Sequence, residues 1–268
     1  MIPVATIDKL ETIWRSVSAL GAGLDEAHWK LPTELAGWTV QDNLAHMIGT
    51  ERMLQGLSPA PTPADVGAHV KNAIGHFNEA EVDARRAATG AEVLNEWNAL
   101  VELRLATLRG ADEDYFDREM PTPTGPGTMA DFLHIRVLDC WIHEQDMRRA
   151  LGRPGHGSGP AAEHTVDRLL RTIPIVVGKR AATPEGGAVI IQITGGVSRQ
   201  LVCEVADGRA AIVAEATNDP LATITFDSET FIVLATGRRS GAAMADRIVV
   251  SGDQALGQLL VDNLNMMI

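Results

Sequence analysis

From Thr128 to Leu151 the chain reads TMADFLHIRVLDCWIHEQDMRRAL, without a glycine or proline, between TGPG on one side and GRPG on the other. A stretch this long with breakers only at its ends predicts one α-helix. Thr128 followed by Asp131 has the form of a capping box, in which the hydroxyl takes an orphan amide of the first turn. Gly152 and Pro154 supply the stop. At about 100° per residue, Asp139, His143 and Asp146 share one face with Phe132, Ile135, Ile142 and Ala150. That face is mostly apolar, so the spacing points these polar groups into a helical bundle rather than into water.

A buried carboxylate is costly unless it is hydrogen-bonded, ion-paired or bound to a cation, and Asp139 must therefore have such a partner. His143, four residues on, reaches the same point from the next turn. Two readings stand at this stage: an ordinary buried Asp–His hydrogen bond, or two ligands of a metal whose third ligand comes from another helix.

The rest of the first half supplies the other helices. Leu10, Ile13, Trp14, Val17 and Leu20 form an amphipathic helix over Ile7 to Leu20 that ends at Gly21, with Trp14 read as core. Thr39 and Asp42 repeat the capping-box pattern before a stripe of Val40, Leu44, Met47, Ile48 and Leu54. His46 falls on that stripe and reads, alone, as a satisfied core imidazole. A Pro-rich loop, Ser58 to Pro63, precedes a helical pattern up to about Arg86 that carries His69 and His76 on a solvated face. After Gly90 another helix covers Ala91 to Leu108, and MPTPTGPG, Met120 to Gly127, is expected to be a loop. These elements fit an antiparallel four-helix bundle whose interior can hold a metal.

GRPGHGSGP, Gly152 to Pro160, reads as a linker. Beyond it the pattern predicts a helix over Ala161 to Val177, and then the periodicity changes to two. AVIIQIT, QLVCEVA, RAAIVAEA and ATITFD are strand candidates, followed by a helix from Ser228 to Thr236, a strand at RIVVSGD and a last helix from Gln254 to Leu264. The expected organisation is an all-α domain over 1–155 and a small α+β domain over 156–268.

A net charge of −12 argues against broad binding to nucleic acid or anionic membranes, which need a basic face. The two cysteines are too few for a disulfide scaffold and suit a reducing compartment. MIPVATIDKLETIW lacks a basic region followed by an apolar run, and no apolar stretch is long enough to span a bilayer, so a cytoplasmic protein is expected.

Two segments, GWTVQDNLAHMIG and LDCWIHEQDMRRALGRP, together resemble the mycothiol-dependent maleylpyruvate isomerase family, whose N-terminal part is a DinB-like four-helix bundle. LATITFDSETFIVLATGRRSGAAMADRIVVSGDQALGQLL resembles the sterol carrier protein-like domain that accompanies it. The resemblance implies a divalent metal, usually zinc, held by the His of the W-T-x-x-D-x-x-A-H segment and by an acid and a His four apart on a later helix. By position these are His46, Asp139 and His143. The family usually has Glu where this chain has Asp139, one methylene shorter. The chemistry implied is thiol addition: mycothiol, bound as thiolate, attacks a cis double bond of a small electrophile, the bond rotates and the thiol leaves. An actinobacterial source is implied with it. Asp146 either orients the His143 imidazole from behind or pairs with Arg149 or Arg153. Arg238 and Arg239 either meet an anionic substrate or form a solvated basic turn. A metal-dependent hydrolase on the same bundle, and a non-enzymatic protein binding a small ligand, are the alternatives to an isomerase or S-transferase.

Overall fold

Three capping boxes fix where the long helices begin. In the computed structural model, which describes residues 1–61, 63 and 66–267, Thr39, Thr89 and Thr128 each accept from the third amide of a helix, and Asp42, Glu92 and Asp131 return the bond. Such caps contribute about 1 kcal/mol each. The chain divides into two compact units, Met1–His156 and Gly157–Ile268.

The first unit is helical. Helix α1 spans Val4–Gly21, the single turn α2 Glu26–Trp29, α3 Val40–Leu54, α4 Ala73–Arg86, α5 Gly90–Gly110, α6 Glu113–Asp117 and α7 Met129–Ala150. Helix α1 packs on α5 and α7, and α3 packs on the same two, which closes a four-helix bundle; α4 lies against α3. Leu10, Ile13, Trp14, Leu44, Ile48, Trp97, Leu133 and Trp141 fill the interior. Trp14 and Trp97 meet edge to face with centroids 6.2 Å apart, the arrangement that ring quadrupoles favour. Helix α7 is buried on nearly every side, as its organising position in the sequence suggested.

Three expectations change in detail. MPTPTGPG is not a loop but part of a hairpin, β1 Glu119–Thr122 with β2 Gly125–Thr128. Pro121 sits opposite Pro126, and a two-stranded ribbon has outer edges where a missing N–H costs nothing. Helix α4 starts only at Ala73, capped by Asn72 Oδ1 on the Gly75 amide at 2.8 Å, so His69 precedes it. Of the expected Ser58–Pro63 loop, Thr62 lies outside the described residues. Gly90 is the first residue of α5 rather than the residue before it, and a Cβ there would come within 2.0 Å of the Trp29 ring.

The second unit is α+β. Its helices are α8 Pro160–Leu170, α9 Ile173–Ile175, α10 Ser228–Ala235 and α11 Gln254–Asp262. The helix expected over Ala161 to Val177 breaks after Leu170; Pro174 cannot donate, and a π-turn at Val176–Arg180 follows α9. Strands β3 Ala188–Thr194, β4 Arg199–Ala206, β5 Arg209–Val213, β6 Ala222–Asp227 and β7 Val249–Gly252 form one sheet in the order β5-β4-β3-β6-β7. Only the β3–β6 pair is parallel. The period-two pattern buries Ile191, Ile193, Leu201, Cys203, Ile224 and Phe226 on one face, where Phe226 stacks on Phe231 of α10.

Candidate metal centre

Helix α3 carries His46 at the end of its second turn, and α7 carries Asp139 and His143 one turn apart. Because α3 packs on α7, the three side chains converge: His46 Nε2 stands 3.2 Å from Asp139 Oδ2, and His143 Nε2 stands 3.5 Å from Asp139 Oδ1. One donor atom from each lies within 4.8 Å of the others, the one such group of three among the described residues. Each imidazole meets its own oxygen of Asp139, and a cation held by all three would need small side-chain rotations to bring one donor atom of each to the roughly 3.3–3.6 Å spacing that ligands of a tetrahedral zinc keep. Both imidazoles are buried, whereas the Asp139 side chain keeps 24% of its surface exposed and marks the open side of the centre.

The electrostatics suit a carboxylate poised to bind a cation. Burial pushes Asp139 toward its neutral form, but Arg136, which donates Nη1 to Asp139 Oδ2, leads the opposing contributions, which hold the carboxyl well below the usual range. Arg136 is pinned in turn: its Nε donates to Glu51 Oε1 at 2.9 Å, and Glu51 Oε2 accepts from Arg104 Nε at 3.0 Å. For His46 burial dominates and pushes the imidazole down to about 4, so at neutral pH it is uncharged and offers a lone pair. Its Nδ1 is buried and finds no hydrogen-bond partner among the described residues.

Trp38 closes one wall. Its ring centroid is 5.3 Å from that of His46 and 5.9 Å from that of His143, and its Nε1 donates to the buried Glu79 Oε2 at 3.0 Å. His69 also binds Glu79 Oε2, at 3.1 Å, and so belongs to this wall's support.

The role expected of Asp146 falls to another residue. His143 Nδ1 lies 2.7 Å from Asn43 Oδ1 and 3.7 Å from the nearest Asp146 oxygen, beyond hydrogen-bond reach, while Asp146 pairs with Arg149. Asn43 was missed because an Asn inside a helix reads as a weak helix former; its place one turn before His46 was the available signal. Glu51 and Arg136, charges on otherwise buried faces, were missed too. Cys140 is core, its thiol pushed up to about 12 by burial. Arg238 and Arg239 stand in the second unit just after α10, where Arg238 Nη1 donates to Thr236 O and Arg239 Nη1 reaches Met244 Sδ.

Comparison with known proteins fits this layout. Residues 10–148 match the model of the mycothiol maleylpyruvate isomerase N-terminal domain, and residues 168–265 match the SCP-2 sterol transfer family. Two uncharacterized proteins from two strains of Mycobacterium tuberculosis are each 28% identical to the chain over 142 residues, 51% of this chain and 52% of theirs. The match thus spans about half the length of these relatives. The crystal structure of the mycothiol-dependent maleylpyruvate isomerase superposes with a TM-score of 0.52 at 16% identity, covering 91% of this chain and 92% of that one, which is a likeness of fold. Among the described residues no helix is long and apolar enough to cross a membrane.

Proposed function

Because the chain belongs to the mycothiol maleylpyruvate isomerase N-terminal domain family through residues 10–148, we propose that it is a metal-dependent, mycothiol-using isomerase or thiol S-transferase acting on a small anionic electrophile. His46, Asp139 and His143 are the ligands in this reading, and zinc is the ion their two nitrogens and one oxygen suit best. The observation that carries the proposal is the convergence of three donors from two helices to within 4.8 Å of one another, with one side open beside Asp139.

When bound, such an ion supplies Lewis acidity that lets a thiol bind as its thiolate at neutral pH. The chain's own residues do the rest. Arg136 keeps Asp139 ionised, Asn43 and Trp38 hold the imidazoles in place, and burial keeps His46 neutral so that it binds a cation without first losing a charge. A reducing cytoplasm, where low-molecular-weight thiols persist, is the compartment this chemistry needs.

The test pairs metal analysis of protein purified without a histidine tag with turnover of a cis-configured dicarboxylate electrophile. About one zinc per chain is expected, lost in His46→Ala, with turnover that requires added mycothiol. Metal content unchanged in His46→Ala removes the ligand assignment. Turnover equally fast without any thiol replaces the reading with a metal-dependent hydrolase.

A further inference from the structure

The two imidazoles of the centre are held in different ways, and the difference is decided by one amide. Asn43 is fully buried, and its two ends are told apart by their partners. One end lies 2.9 Å from the Thr39 carbonyl oxygen, which can only accept, and 3.2 Å from Thr33 Oγ1; that end is therefore the NH₂ group. The other end is the amide oxygen, which can only accept, and it lies 2.7 Å from His143 Nδ1. A nitrogen facing an acceptor at that distance carries hydrogen.

We propose that Asn43 is a positioning residue that fixes a hydrogen on His143 Nδ1, so that Nε2, the nitrogen beside Asp139, is the one ring atom left to bind a cation. That nitrogen is 3.5 Å from Asp139 Oδ1, and the carboxylate is kept anionic by Arg136. A nitrogen and a carboxylate oxygen at that spacing are bridged by a cation, a proton or a metal ion, and with Nδ1 tied to Asn43 the geometry presents His143 Nε2 for that place before any metal arrives. His46 has no such restraint. Its Nδ1 lacks a partner among the described residues, and its Nε2 faces Asp139 Oδ2 at 3.2 Å, an oxygen that can only accept, so that nitrogen carries the hydrogen. Loading a cation then shifts the His46 hydrogen to Nδ1 and leaves His143 as it was. Only this last step rests on the proposed metal centre; the tautomer of His143 belongs to the metal-free protein.

Long-range proton–nitrogen NMR of the metal-free protein at pH 8 reads both tautomers directly. His143 is expected as Nδ1–H, against the Nε2–H preference of free histidine, and His46 as Nε2–H. In Asn43→Leu the His143 hydrogen moves to Nε2, while Asn43→Asp, which keeps an acceptor in place, retains the wild-type pattern. Zinc affinity then falls about 10–100-fold in Asn43→Leu and much less in Asn43→Asp. A wild-type His143 whose Nδ1 carries no hydrogen overturns the proposal, as does an unchanged pattern in Asn43→Leu. If Asn43→Leu does not fold, the wild-type and Asn43→Asp spectra decide it. Failure of the wild type to bind zinc, with His143 still Nδ1–H, removes the metal centre and leaves the role of Asn43 standing.

Discussion

His46 Nε2 and Asp139 Oδ2 lie 3.2 Å apart although 93 positions separate the two residues in the chain. The contact joins α3 to α7 at the point where the metal centre is proposed. Asp139→Asn keeps the size of the side chain and removes its charge. Zinc binding, followed by competition with a chromophoric chelator, should weaken by at least about tenfold, with the helical circular dichroism unchanged. Equal affinity in the two proteins would show that the carboxylate is not a ligand.

Glu51 lies between Arg104 and Arg136 with all three side chains buried. Glu51→Gln leaves two guanidinium groups in the interior without their shared anion. Breaking a buried pair in this way costs about 3–5 kcal/mol, which should appear as a large drop in the urea midpoint. Replacing Glu51, Arg104 and Arg136 together by Leu, Met and Met should recover most of that loss. A Glu51→Gln protein as stable as the wild type would mean that the charges find water.

Both thiols should be silent in the native protein. Burial pushes Cys140 up to about 12 and Cys203 up to about 11. At pH 8 the thiolate fraction is then on the order of one in a thousand or less. A colorimetric disulfide reagent is expected to label neither within minutes, and both after denaturation. Prompt labelling of the folded chain would contradict the packing around α7 or β4.

Asp227 caps α10 by accepting from the Thr230 amide at 2.7 Å, and it pairs with Arg247. Burial raises its pKa, but the Thr230 amide and Arg247 outweigh that and hold the group below its ordinary value. A depressed carboxyl stabilises the fold above its unfolded pKa and loses that contribution as pH falls through the folded one. Asp227→Ala should therefore cost about 0.5–2 kcal/mol at pH 7, with the gap to wild type closing below about pH 3.8. A gap that does not change with pH would assign the loss to packing instead.

Much of this architecture could be read from local pattern, and the site only in part. Thr39, Asp42, Thr128 and Asp131 mark helix starts because a capping box is complete within four residues. The strands from Ala188 to Asp227 show themselves by alternation, since one face of the sheet is buried. Asp139 and His143 could be paired by their one-turn spacing. His46 could not be joined to them without the family resemblance, because which helix faces α7 is settled by packing between distant segments. Asn43 and Glu51 were illegible for the same reason: each satisfies a partner on another helix, and nothing beside it in the chain announces that partner. Pro121 and Pro126 misled in the other direction, since they suggest a loop until the register shows them facing each other on an isolated ribbon.

The Glu51 clamp also bears on how descendants of this chain would diverge. It ties α3, α5 and α7 through one carboxylate five residues from His46, and the fold depends on it whether or not any reaction takes place. Glu51, Arg104 and Arg136 can change together but not one at a time without loss of stability, so their joint retention signals only an intact bundle, whereas under the proposed function loss of positions 46, 139 and 143 would mark a lineage without the metal centre.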